Sequence, residues 1–212
     1  MGTSKAAVAA GDALPVSGMT GLVGQDVALV PERGWVHLQF LRFAGCPICN
    51  LHVRRFVDRR QELDASDVRE VLVFHSSIDE LTKYEADLPF TAIPDPSKRY
   101  YALFGVETSL RAVANPRAWG SAVRGMAADA KRARDTGAPM PPMRPTNGEL
   151  GLPADFLIGA DGVVAAAKYG KHAADQWEVD EVLAIAAAST ADPLSWPKTL
   201  HSNDTTGKRR HD

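Results

Sequence analysis

A central mixed β-sheet flanked by helices, an α/β fold with a long helical and proline-rich insertion, is what this sequence predicts. Three observations lead to it. The runs Trp35 to Phe43 and Glu70 to His75 are aromatic, β-branched and apolar on both faces, as strands covered on both sides read. Each is followed by a segment whose apolar residues recur at helical spacing. Towards the C-terminus, Leu152 to Ile158 and Val163 to Tyr169 flank Asp161-Gly162, a turn pair that joins two strands into a hairpin.

The chain has 212 residues, enough for one domain with elaborations. Lys and Arg number 24 against 26 Asp and Glu, a net charge of −2, so the basic excess needed to grip nucleic acid or an anionic membrane is missing. With 45% hydrophobic and 24% charged residues the composition is globular, not disordered. No apolar run approaches the ~18 residues of a membrane span. Met1 to Pro15 lacks a secretory apolar region. A cytoplasmic protein with neither nucleic acid nor membrane as partner is the expectation.

Residues 1–20 lack periodicity and are expected to form a loosely packed arm. A short apolar alternation from Gly24 to Val30 leads through Pro31-Glu32-Arg33-Gly34 into the first long strand. Ala44-Gly45 ends that strand. A helix then starts at Cys46-Pro47-Ile48-Cys49, since Pro47 suits a first turn in which its missing N–H has no intrahelical partner to lose. Cys49, Val53, Phe56, Val57 and Leu63 share its apolar face, and Arg54, Arg55, Asp58, Arg59 and Glu62 lie largely off it. After the strand Glu70 to His75, Ser76-Ser77 supplies an N-cap, and Ile78, Leu81, Tyr84, Glu85 and Leu88 space out a helix. A brief strand, Phe90 to Ile93, is stopped by Pro94-Asp95-Pro96, and a short helix follows from Ser97 to Val106.

Residues 107–150 read as an insertion. Asn115-Pro116 is an N-cap with proline at the first helical position, opening a helix to about Thr136. Trp119, Ala122, Val123, Met126, Ala130 and Ala133 form its apolar stripe, expected to pack. Its Arg and Lys residues form a solvated face, with a lid or dimer surface as the sharper reading. Pro139 to Pro145 is extended loop. A last amphipathic helix uses Val179, Val182, Leu183 and Ala186, and residues 189–212 read as a tail. The domain proper is therefore 21–188, with the insertion at 107–150.

Only two cysteines are present, three positions apart. They cannot form a disulfide framework or a four-thiolate metal site, and Asn50 stands where a haem-attachment motif needs His. No metal and no cofactor is expected. In a cytosolic chain this spacing points to dithiol redox chemistry, with a pair of structural cysteines as the bland alternative. A thiolate at a helix N-terminus faces the positive end of the dipole and several free N–H groups, which lowers its pKa from ~8.5. A second thiol one turn on can attack the first sulfur once it is oxidised. Cys46 is the expected nucleophile and Cys49 the resolving thiol. His75, at the end of the neighbouring strand, could tune Cys46 or relay a proton; a plain polar strand end is the simpler reading. His52 is expected to be an exposed or half-buried helix residue.

Strand, Cys-x-x-Cys helix, strand, helix, hairpin and helix is the order of the thioredoxin-like fold. In that fold a cis-proline precedes the hairpin and faces the sulfurs, which makes Leu152–Pro153 the candidate bond and Pro153 a substrate-site residue. The run from His37-Leu38-Gln39-Phe40 through Leu41-Arg42-Phe43-Ala44-Gly45 to Cys46-Pro47-Ile48-Cys49-Asn50-Leu51-His52 resembles bacterial members of the peroxiredoxin-like family 2 group. That group lies within the alkyl hydroperoxide reductase/thiol-specific antioxidant branch of the thioredoxin superfamily and includes the prostamide/prostaglandin F synthase type. Gly151 to Ile158 with Asp161-Gly162 resembles its second block, and the likeness spans about Leu22 to Ala188. It implies an antioxidant oxidoreductase that reduces peroxides or related substrates through an intramolecular disulfide. The disulfide would be reset by a thioredoxin-type protein or a low-molecular-weight thiol, and a homodimer is open. The common peroxiredoxin motif Pro-x-x-x-Thr-x-x-Cys would place Cys46 where Thr belongs and make Cys49 the attacking residue. With Cys46 attacking, Phe43 takes the Thr position. The residues leave three readings open: peroxide reduction, disulfide or endoperoxide reduction, and a non-catalytic redox sensor or interaction module whose insertion helix binds a partner.

Overall fold

The computed structural model describes residues 7–106, 116–140 and 151–191. Five strands form the main sheet: β3 (Trp35–Phe40), β4 (Val68–Phe74), β5 (Thr91–Pro94), β6 (Ala154–Gly159) and β7 (Val164–Tyr169). Their order is β5-β4-β3-β6-β7, with β3, β4 and β5 parallel and β6 and β7 antiparallel. The helices are α1 (Pro47–Asp58), α2 (Arg60–Ala65), α3 (Ile78–Tyr84), α4 (Arg99–Phe104), α5 (Pro116–Thr136) and α6 (Val179–Ala191). This is the thioredoxin-like α/β architecture with a helical insertion. No helix among the described residues is long and apolar enough to cross a membrane.

Both faces of the sheet are covered, which is why β3 and β4 read as continuous apolar runs. Alternate residues go to opposite sides. Val36, Leu38 and Phe40 join Val71, Val73, Phe156 and Ile158 against Tyr100, Tyr101 and Phe104 of α4. On the other side Leu41, Leu72 and Phe74 meet Cys49 and Val53 of α1 and Leu81 of α3. Further along that side, Leu157 and Ala166 meet Phe56, Trp177, Val179 and Val182.

Local signals set several boundaries. Ser77 and Glu80 make a reciprocal capping box at the start of α3. The single helix expected up to Leu63 is broken at Arg59 into α1 and α2. Residues expected to form a loose N-terminal arm are bonded to the core from Val8 onward. Gly11 N donates to Val164 O (2.8 Å), Val164 N donates to Asp12 O (3.0 Å), and a two-stranded hairpin, β1 (Gly18–Thr20) with β2 (Asp26–Ala28), buries Met19. β2 lies within the apolar alternation from Gly24 to Val30, whereas β1, three residues long, leaves no such trace in the sequence. Of the tail expected from Ser189, residues 189–191 complete α6 and those from 192 onward lie outside the described residues, as do 107–115 and 141–150.

The apolar stripe expected to pack α5 faces inward only in part: Ala122 packs against the cluster that holds Ile48 and Val53 of α1, and the side chain of Trp119 lies outside the described residues. Val123 and Met126 are 69% and 57% exposed, whereas Gly125 and Asp129 are buried against α1. The inward face is small and polar because α5 approaches α1 closely.

Candidate active site

The β3–β4 ladder continues past β3, with Leu41 N donating to Val73 O (2.8 Å) and His75 N to Arg42 O (3.3 Å). Tyr101 pins this end of the sheet, its hydroxyl donating to Leu41 O and Val73 O. Beyond Phe43 the chain turns through Gly45, whose φ of +76° is left-handed and suits glycine. Two side chains accept from the turn's N–H groups: Ser76 Oγ from Ala44 (3.1 Å) and Glu85 Oε1 from Gly45 (2.7 Å). The turn ends on Cys46, which stands at the N-cap of α1 with extended backbone, followed by Pro47.

Cys46 and Cys49 are free thiols, 0% and 1% exposed, in the first turn of α1. Burial opposes ionisation of Cys46. The Cys49 thiol, the Arg42 guanidinium and the backbone N–H groups of Cys49 and Ile48 outweigh burial and take its pKa down to about 6. Cys46 makes no regular capping hydrogen bond, so the backbone contribution is that of N–H groups facing the sulfur. Arg42 Nη1 lies 3.4 Å from Cys46 Sγ, and its guanidinium stacks over Phe43 at 5.3 Å. Burial and the neighbouring Cys46 push Cys49 well above the usual thiol range. The first sulfur is therefore a thiolate held by the second thiol and by a buried cation.

His75 is buried at the end of β4, its ring beside those of Phe43 and Tyr101 (centroids 6.4 and 5.8 Å apart). Burial first, then Lys98 and Arg42, bring its pKa down to about 4, so it is neutral near pH 7. Neither ring nitrogen has a hydrogen-bond partner among the described residues. Gly151 lies against it: a Cβ there would be 3.2 Å from His75 Nε2 and 4.0 Å from Arg42 Cγ.

Pro153 departs from expectation. Every peptide bond among the described residues is trans, Leu152–Pro153 included. The proline already continues the β6–β7 ladder, its carbonyl accepting from Gly170 N at 2.8 Å, and its ring lies against Gly170. A trans bond, the lower-energy form by ~0.5–1 kcal/mol, runs straight into β6. Gly151, two residues earlier, makes the contact with His75 and Arg42.

His52 is buried, not half-exposed. Its Nε2 lies 3.1 Å from Gln39 Oε1, and burial takes its pKa down to about 4. Gln39 belongs to a buried polar layer under α1 that the sequence reading missed. His37 Nδ1 is 2.9 Å from Glu70 Oε2, and Gln39 Nε2 donates to the same oxygen at 2.7 Å. His37 Nε2 and Asp155 Oδ1 are 3.4 Å apart, an ion pair too poorly aligned for a hydrogen bond. Burial opposes the charge on His37, but the two carboxylates raise its pKa to about 9. Arg42 and Glu85 were also missed. Arg42 is a lone cation in an apolar run four residues before Cys46, a signal available in the sequence; Glu85, 39 positions after Cys46, has none.

The fold and site define a thioredoxin-like protein with a closely spaced dithiol, a redox-active thiol arrangement. The family profile described as AhpC/TSA antioxidant enzyme matches residues 55–172, more than half of the chain, starting just past the Cys turn. The chain belongs to that family and is an oxidoreductase of the peroxiredoxin/thioredoxin superfamily. Among solved structures it is similar to peroxidoxin BcpB of Mycobacterium tuberculosis, at 18% identity and TM-score 0.59 over 85% of this chain and 97% of that one. It is also similar to a cysteine-to-serine variant of peroxiredoxin 6 from Arenicola marina, at 14% identity and TM-score 0.61 over 87% and 76%. A third likeness is to the bacterioferritin comigratory protein of Xanthomonas campestris, at 14% identity and TM-score 0.55 over 86% and 98%. At these identities the likeness is one of fold. No curated protein matches the chain in sequence.

Proposed function

We propose that this chain is a thiol-dependent peroxidase that reduces small hydroperoxides, with Cys46 attacking and Cys49 resolving. The observation that carries the reading is Cys46 Sγ at a helix N-terminus, 3.4 Å from the buried Arg42 guanidinium. The Cys46 thiolate attacks the terminal peroxide oxygen, the O–O bond breaks, and the alcohol or water leaves with a proton. Cys46 is then a sulfenic acid. Attack by the Cys49 sulfur forms the S–S bond, and the hydroxyl leaves as water with the Cys49 proton. An external thiol, small or thioredoxin-like, reduces the disulfide. Arg42 steadies the charge that moves from sulfur to oxygen, and neutral His75 offers one donor and one acceptor to the peroxide without adding charge. Pro153 acts at one remove, anchoring the loop that sets Gly151 beside this pair.

Burial of both sulfurs favours a small oxidant over a protein disulfide. The test is peroxide consumption with a thiol reductant, alongside mass spectrometry of single variants. Wild type should turn over repeatedly, and Cys46→Ser should not react. Cys49→Ser should trap an adduct of about 16 Da on Cys46. One-time oxidation without turnover identifies a sensor instead, and an adduct on Cys49 in Cys46→Ser reverses the order of the two thiols.

A further inference from the structure

Glycine inside a helix is less favourable than alanine, and α5 carries two, Gly120 and Gly125. Gly120 is exposed, with open space around it. Gly125 is buried: a Cβ there would overlap the carbonyl oxygen of Pro47, the residue between Cys46 and Ile48. One glycine is thus dispensable and the other is the point where α5 touches the dithiol turn. The same face extends the contact at helical spacing. Ala122 packs against the cluster that contains Cys46, Ile48 and Cys49. Asp129 Oδ1 accepts from Asn50 Nδ2 at 3.3 Å. Arg132 Nη2 is 2.7 Å from Asp87 Oδ2, which Arg54 of α1 also holds at 2.9 Å. Residues 122, 125, 129 and 132 therefore seat α5 across the first two turns of α1. That seat is made of small and polar side chains, while Val123 and Met126 face water. It holds α5 against the dithiol turn without the extended apolar burial that would make the contact permanent.

We infer that α5 sets the size limit of the dithiol site, with Gly125 as the specificity-determining residue. Seated, it admits hydrogen peroxide and comparably small oxidants and excludes bulky hydroperoxides and protein disulfides. This rests on the peroxidase reading for its substrates but not for its test, which uses alkylation and no peroxide. The reduced full-length protein is reacted with iodoacetamide and with a polymer-linked maleimide, and the ratio of bulky to small rates is compared across variants. Gly125→Ala should unseat α5 and raise that ratio by about tenfold, the equivalent of ~1.4 kcal/mol. Gly120→Ala, the same chemical change on the same helix, should leave it within about twofold of wild type, less than ~0.5 kcal/mol. Arg132→Ala removes the link to Asp87 without touching the backbone and should move the ratio in the same direction as Gly125→Ala, which keeps the test decisive if the glycine variant does not fold. The inference is overturned if wild-type thiols already accept the bulky reagent as readily as the small one. It is equally overturned if Gly120→Ala and Gly125→Ala behave alike, or if Arg132→Ala leaves the ratio at wild type. A protein that excludes the bulky reagent but consumes no peroxide would sink the peroxidase reading and leave the size limit standing.

Discussion

Replacing Arg42 with methionine isolates what the buried cation does for Cys46. The guanidinium lies 3.4 Å from the sulfur. At an effective dielectric of about 20, unit charges at that separation attract by about 5 kcal/mol, or ~3.5 pKa units at 1.36 kcal/mol each. That is an upper bound, because the thiolate keeps the Cys49 hydrogen bond and the N–H groups of Cys49 and Ile48. Methionine fills much of the space without charge, so burial continues to oppose ionisation. The expected net rise is ~2 units, from about 6 towards ~8. Near pH 7 the thiolate fraction then falls from about nine-tenths to about one-tenth, and alkylation of Cys46 slows about tenfold. Iodoacetamide labelling across pH, read by peptide mass spectrometry at Cys46, measures this directly. The two proteins should differ near pH 7 and converge above the higher pKa. A midpoint within about 0.3 units of wild type, less than ~0.5 kcal/mol, would refute the reasoning and leave the helix terminus and Cys49 as the whole cause.

The other predictions concern buried groups around the site. Glu85, 6% exposed, has its carboxyl pushed up to about 7, chiefly by burial and against the Gly45 N–H. A carboxyl raised in the folded state contributes stability below its unfolded pKa and loses it as pH rises through the folded value. Glu85→Gln keeps an acceptor for Gly45 and removes that loss. Thermal unfolding should show it more stable than wild type near pH 8, by on the order of 1–3 kcal/mol, with the gap closing near pH 4; a gap independent of pH counts against the buried carboxylate. His37 and His52 should separate in an NMR titration, His37 holding its proton to about pH 9 and His52 staying neutral to about pH 4. Titration of both near 6.5 would remove the charged His37–Glu70–Asp155 layer. Because the His37 pKa is raised, its stabilisation is full below pH ~6.5 and drains away as pH rises through about 9, which denaturant midpoints in that window should track.

What the sequence revealed was whatever leaves a local trace. β3 and β4 showed as apolar runs, α1 as a proline-led turn after glycine, and the last hairpin as Asp161-Gly162 between strand-like segments. Pro116 to Thr136 matched the helix predicted from its N-cap and periodicity. The family likeness rested on the run through Cys46 and Cys49 and on Gly151 to Ile158. The same periodicity placed Ala122 inward correctly but also Val123 and Met126, which are exposed, because a hydrophobic stripe says nothing about how closely two helices approach. Gly125 decides that through its contact with Pro47, 78 positions away in the chain.

The side chains around the dithiol escaped for a related reason. Each is an ordinary polar residue on its own element and becomes part of the site only through a partner far off in sequence. Ser76 and Glu85 hold the Ala44-Gly45 turn from 32 and 40 positions away. His52 lost its expected exposure to Gln39, 13 positions earlier on another element, and Gln39 in turn reaches Glu70. Such pairs obey no period, since a hydrogen bond between elements is fixed by sheet order and register. The β3–β4 register sets His37 opposite Glu70, and the β3–β6 register sets Gln39 opposite Asp155. Once that register exists, burying these groups unpaired would cost more than pairing them. The polar layer beneath α1 is thus a consequence of strand alignment, and it meets the helix one and two turns past Cys49, at His52 and Phe56.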